Sequence, residues 1–281
     1  MLMIMQSRLA TIYDLCHRIS TSEGLCPEQH EYLAVVRRGV EKLQQTEALY
    51  LNLLEIAEQS HDLRQPLTGI VGYSALLNSD HFSDHTYLSA TEREQIDHLY
   101  FLCCSLHWHL DSLIMFATYL RNPERYDLST VGDIDLFGYV QSQATDEVCY
   151  QRFSSLDCQS EIPFVYANDV SVNLMVRALF VVALEVHPTA RIYAQVYSLM
   201  QTVRTRLFIA GKANLLPRLD AVFERPIDAL NTTFDIHGDG LLSVAAHIVA
   251  DVAERQGGRF YTDTQHDDLV LALTVPASLE G

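Results

Sequence analysis

Positive charge is scarce in this chain. Its 281 residues carry 19 Lys and Arg against 36 Asp and Glu, a formal net charge of −17. A field of that sign repels phosphate backbones, so nucleic acid is not an expected partner. It also disfavours an anionic membrane surface. Missing too is any unbroken apolar run of the roughly 20 residues that a bilayer crossing needs, and no membrane insertion is expected. The opening Met1-Leu-Met-Ile-Met5 has neither the basic flank nor the length of a signal peptide. The six cysteines include no CxxC pair and lack the density of a secreted scaffold. They read as free, mostly buried thiols in a reducing compartment, and the chain as cytoplasmic. Cys103-Cys104 with His107 and His109 is a loose grouping. Its side chains spread around a packed helix, and no metal is expected.

Apolar residues make up 48% of the chain, which removes disorder as the default and allows two domains with a core each. The first third has helical periodicity. Residues 3–20 predict one short helix, stopped by Ser20-Thr-Ser-Glu-Gly24. Pro27, at a first-turn position, restarts the pattern. No glycine-proline cluster interrupts it before about Leu77. Leu33, Val36, Val40, Leu43, Tyr50, Leu54 and Ala57 alternate by three and four, broken at Glu47, which predicts a long rod with a coiled-coil-like seam. Asn78–His85 reads as a polar turn. A second long helix is predicted from Ser89 to Leu120, capped by Ser89 or Thr91 with Glu92 and Glu94 behind. Neither helix can bury a full apolar face alone, so two copies of the hairpin are expected to complete a dimeric four-helix bundle.

Arg121–Arg125 reads as a linker, and helices and strands mix beyond it. Helices are predicted at Leu136–Tyr150, from Asn168 or Asp169 to Val186, and at Gly240–Gln256. Strands are predicted at Pro163–Ala167, Arg191–Leu199, Val203–Ala210, Arg259–Thr264 and Leu269–Val275. That is an α+β layer with helices on one face of a mostly antiparallel sheet.

The segment Ser60-His61-Asp62-Leu63-Arg64-Gln65-Pro66-Leu67-Thr68-Gly69-Ile70-Val71-Gly72-Tyr73 carries the chemistry. An imidazole is a nucleophile that is neutral near pH 7. The adjacent Asp62 suits it as orienter and proton acceptor. Arg64 suits phosphate oxygens or an acid. Pro66 removes one helical bond and bends the rod, and Gln65 lies one turn from His61 on the same face.

In order and spacing this segment resembles the H-box of two-component sensor histidine kinases: histidine, acid, leucine, arginine, any residue, proline, leucine, then isoleucine and Gly-Tyr. The resemblance implies that His61 accepts a phosphoryl group. It also implies that Gln65 stands where Thr or Asn places a water for dephosphorylation in the family. The later segments resemble the family's ATP-binding domain. Val165–Asp169 and Leu174–His187 look like the strand and helix of the N-box, and Ala221–Arg225 like the F-box. Gly238–Val244 through Gly258 looks like the second glycine box and its helix. The resemblance spans residues 45–277 and divides the chain into an N-terminal helical segment (1–26), a dimerisation and phosphoacceptor domain (27–122) and a degenerate ATPase-like domain (123–281).

The departures fall where nucleotide should bind. Leu179 and Ala183 stand where the N-box has its two asparagines, and neither offers oxygen to a hard cation. Ala210-Gly-Lys-Ala-Asn214 stands at the first glycine box, with Ala210 for the adenine-binding Asp and Lys212 and Asn214 for glycines. Of the second, Gly238 and Gly240 remain, and Leu242 replaces the next glycine. Phosphoryl transfer depends on positioning metal and phosphate, so no cofactor is expected. The resemblance therefore implies a phosphorelay component passing phosphate between His61 and a response-regulator receiver aspartate, with homodimerisation and a receiver as its partners. Two-domain phosphotransferases of this type pair a phosphoacceptor bundle with a degenerate ATPase fold. Two other readings stand beside it: a non-enzymatic pseudokinase that binds a receiver or kinase, and an active kinase that uses ATP and Mg²⁺.

Overall fold

The computed structural model describes residues 2–46, 53–79, 88–126, 131–150, 152–159, 164–187, 189–223 and 240–278. It divides into two compact units, Met1–Ile114 and Met115–Gly281.

The first unit is built from α1 (Leu2–Ser20), α2 (Pro27–Gln45), α3 (Leu53–Glu58), α4 (Ser60–Leu77) and most of α5 (Ala90–Arg121). Pro27 opens α2 as expected. At the head of α5, Ser89 and Glu92 form a capping box: the Glu92 amide donates to Ser89 Oγ at 3.3 Å, and the Ser89 amide to Glu92 Oε2 at 2.6 Å.

The single rod predicted from Pro27 to Leu77 does not form. α2 ends at Gln45, and α4 returns antiparallel beside it. Tyr32 meets Tyr73 with ring centroids 5.3 Å apart, and Lys42 Nζ donates to Gln65 Oε1 at 2.9 Å. The seam residues are real but face inward within one chain: Val36, Val40 and Leu43 are fully buried and Leu33 nearly so. Ala57 is half-buried, while Tyr50 and the Leu54 side chain lie outside the described residues.

α5 runs antiparallel to both α4 and α1. Arg64 of α4 reaches Asp111 at 3.2 Å, and Arg8 of α1 reaches His109 at 2.9 Å. Ser22, just past α1, bonds Glu92. With α1 packed on α2, the four long helices form an up-down-up-down bundle around Leu9, Ile12, Val36, Leu63, Ile70, Leu99 and Leu106. All four of these helices come from one chain. By length and mean hydropathy α5 would suit a membrane span, but 61% of its apolar window is buried in the protein.

The second unit pairs a five-stranded sheet with helices. Its strands are β2 (Phe153–Cys158), β4 (Ile192–Leu199), β5 (Thr202–Ile209), β7 (Asp268–Pro276) and β6 (Arg259–Gln265), in the order β2-β4-β5-β7-β6. Only β2 and β4 run parallel. A separate antiparallel pair joins β1 (Val131–Asp135) to β3 (Phe164–Asn168). The helices are α6 (Leu136–Thr145), α7 (Glu147–Tyr150), α8 (Asp169–Val186), α9 (Leu216–Phe223) and α10 (Gly240–Arg255).

The predicted helix over Leu136–Tyr150 breaks at Asp146, whose carboxylate takes the Val148 amide at 3.1 Å and starts α7. Strands β1 and β2 are additions to the sequence expectation. Asn168 caps α8 by accepting from the Ser171 amide at 3.1 Å. α10 ends in a Schellman turn: Gly257 has φ +73°, and the Gly258 amide donates to the Ala253 carbonyl at 2.8 Å. Buried Gln256 ties this corner together, accepting from the Asn168 amide at 3.0 Å and donating to the Tyr126 carbonyl at 2.8 Å.

Candidate functional site

His61 occupies the first turn of α4, directly after a break in the helical path. α3 stops at Glu58, and Gln59 (φ −96°, ψ 14°) turns the chain while its carbonyl accepts from the Asp62 and Leu63 amides at 3.0 and 3.1 Å. The expected mid-rod placement is thus corrected to a helix start. Leu63, Pro66, Leu67 and Ile70 form the buried face of α4. That places His61, Asp62, Arg64 and Gln65 on the outward faces, as helical spacing requires. The His61 side chain is 90% exposed and that of Asp62 73%, with Nδ1 and Oδ1 3.6 Å apart.

Arg64 and Gln65 each have a partner from a neighbouring helix. Arg64 pairs with Asp111 of α5 across 3.2 Å, and Gln65 accepts from Lys42 of α2. Sequence reasoning found neither partner. A signal for Asp111 existed, since it is the sole acid between Asp97 and Glu124 in a strongly apolar helix. Lys42 carried none, because its place beside Gln65 depends on α2 folding back. Pro66, inside α4, removes the amide that would have paired with the Asp62 carbonyl.

The loose Cys-His grouping is spread around α5: Cys103 and His109 are buried and His107 is exposed. His109 Nδ1 lies 2.7 Å from the Ser105 carbonyl. Among the described residues no three His, Cys, Asp or Glu side chains gather as cation ligands. Burial pushes the thiol of Cys16 up to about 12 and also raises that of Cys103.

The residues that the resemblance sets at nucleotide positions lie in the second unit. Leu179 and Ala183 are fully buried, within a helix whose residues are almost all in the core between α10 and α6. Ala210 follows β5, its amide donating to the Arg191 carbonyl at 3.0 Å. Gly211 (φ +66°) donates to Asp268 Oδ1 at 2.9 Å, and Tyr193 bonds the same carboxylate. Lys212 and Asn214 belong to a turn that leads through a short 3-10 helix into α9, held by the Ala213 amide on the Asp267 carbonyl at 2.9 Å. The loop is therefore folded onto the protein's own β6–β7 turn. Gly240 begins α10, while Gly238 and the F-box from Glu224 onward lie outside the described residues. A shallow depression lined by Val186, Leu215, Arg218, Leu219 and Leu242 has no room for a water molecule.

No family model matches the chain, and no curated protein matches it in sequence. Solved structures do match. The nucleotide-free catalytic domain of histidine kinase ThkA aligns at 17% identity, covering 52% of this chain and 95% of that one, with a TM-score of 0.41. The Acinetobacter baumannii histidine kinase AdeS aligns at 13% identity over 78% of this chain and 98% of that one, with a TM-score of 0.40. ThkA in complex with the response regulator TrrA aligns at 16% identity over 90% of this chain and 68% of that one, with a TM-score of 0.42. The chain is thus similar in structure, at low sequence identity, to the helical and ATPase domains of sensor histidine kinases.

Proposed function

We propose that this protein is a histidine-kinase-like phosphorelay component in which His61 exchanges a phosphoryl group with a receiver-domain aspartate and no nucleotide takes part. The observation that carries this reading is a contrast of exposure. The imidazole that would carry phosphate is 90% open to a partner, whereas Leu179 and Ala183, at the positions the resemblance gives to the N-box asparagines, are apolar and fully buried.

The step balances without an outside reagent. With the His61 proton on Nδ1, facing Asp62, the lone pair on Nε2 is free to attack the phosphorus of an aspartyl phosphate. A P–N bond forms, the P–O bond breaks, and the receiver carboxylate leaves with its electron pair. Asp62 steadies the positive charge that develops on the ring. The positive end of α4 favours the incoming negative charge. The reverse step returns the phosphoryl group, with the receiver supplying the metal. A receiver as partner accords with the ThkA–TrrA complex, in which a histidine kinase similar in structure to this chain at low identity is bound to a response regulator.

The test uses a receiver domain loaded with phosphate by a small phosphodonor. The full chain should accelerate phosphate loss from the receiver and gain a phosphoryl group at position 61, and the His61→Ala variant should do neither. Equal acceleration by the variant would leave the scaffold reading in its place.

A further inference from the structure

The bundle of the first unit contains two hairpins, α1–α2 and α4–α5. α4 and α5 carry the histidine segment and, in the sequence, invite a second copy. α1 and α2 stand where that copy would stand, antiparallel to α5 and α4 respectively. We infer that the N-terminal hairpin is the dedicated intramolecular partner of the histidine helix, so that the chain works as a single-histidine monomer and does not recruit a second copy through α4–α5.

The fit between α2 and α4 is specific to these two helices. Gly39 of α2 is a helical glycine set against α4 at Pro66 and Ile70. A Cβ there would stand 2.7 Å from Ile70 Cγ1 and 3.3 Å from the Pro66 carbonyl. Glycine inside a helix is unfavourable unless close approach requires it, and this approach is to the histidine segment. Tyr32 packs on Tyr73 one end of the contact, and Lys42 bonds Gln65 at the other, so the pairing runs the length of α2. α1 completes the ring, with Leu9, Ile12, Leu15 and Ile19 buried in the common core. Leu63, Leu67 and Ile70 of α4 and Leu99 and Leu106 of α5, the apolar residues a partner's hairpin would need, are buried within the one chain.

A functional consequence follows. A paired bundle presents two histidines, while this one presents a single His61, so each molecule offers one transfer site. The inference does not depend on phosphate chemistry, and its test is separate from that of the proposed function.

Tyr32→Cys and Tyr73→Cys, combined in the full chain and oxidised, provide the readout on a denaturing gel without reductant, with the linked peptides identified by mass. Closure within one chain gives a monomer band carrying a 32–73 disulfide. Covalent dimers joined through 32 and 73, or no link at this pair, would overturn the inference. Because two new cysteines could impair folding, the unmodified chain is measured beside it by light scattering. A mass near 31.8 kDa is expected, and twice that value would count against closure.

Discussion

At the scale of single residues, the two halves of the chain treat polar groups in opposite ways. His61, Asp62, Arg64 and Gln65 lie at the surface of α4. Arg64 with Asp111 is a part-exposed pair of the kind that contributes between nothing and about 1 kcal/mol, so its role is placement more than stability. The second unit instead spends its carboxylates on structure. Asp268 accepts from Gly211 and from Tyr193, and burial followed by that hydrogen bond pushes the Tyr193 phenol up to about 12 from 10.0. Its proton is therefore held more tightly in the folded state. The stabilisation is complete below pH 10 and is lost as pH rises from 10 toward 12. Replacing Tyr193 with Phe should flatten the fall in unfolding free energy across that window, measured by denaturant titration at several alkaline pH values. An unchanged slope would show that Tyr193 is not among the groups responsible. In the sequence, His61, Asp62, Arg64 and Gln65 were legible as a set because their order is dense with meaning. Their partners Lys42 and Asp111 were not, because each is a lone charge whose neighbours depend on how whole helices pack.

At the scale of elements, the stop signals explain both the successes and the misses. Ser89 with Glu92, Asn168, Gly257 and Pro27 mark helix ends by side-chain chemistry, and the observed ends fall on them. No glycine or proline stands between the end of α2 at Gln45 and the start of α4 at Ser60, so two antiparallel helices read as one rod. β1 was hidden for another reason. Its Val-Gly-Asp-Ile-Asp composition is poor in strand formers, and pairing with β3 overrides propensity there. The α2–α4 contact makes its own prediction. Gly39→Ala improves helix propensity by up to about 1 kcal/mol. It also drives a methyl into Ile70, and overpacking of that kind costs about 1–3 kcal/mol. The steric term should prevail, lowering the stability of the bundle by about 1 kcal/mol net. A gain in stability on thermal or chemical unfolding would mean that α2 does not sit so close to the histidine helix.

At the scale of the molecule, a helical bundle that displays the His61 imidazole is joined in sequence to an α/β unit whose helix α8 is packed into the core. Length and composition predicted two units, and the order of patterns predicted an α+β sheet after a helical region. Closure of the bundle within one chain was beyond the reach of periodicity, because a seam of buried residues looks the same whether its partner is another copy or another part of the same chain. Leu179 and Ala183, which the resemblance sets at ligand positions, are fully buried in α8, and their side chains offer no oxygen to a cation.

The most direct test is the occupancy of position 61 by phosphate, read by mass spectrometry under conditions that preserve phosphohistidine, after equal incubations with Mg-ATP alone and with a phosphorylated receiver domain. The account predicts a phosphoryl group on His61 from the receiver and none from Mg-ATP. Phosphorylation from Mg-ATP alone, or none from either donor, would contradict it.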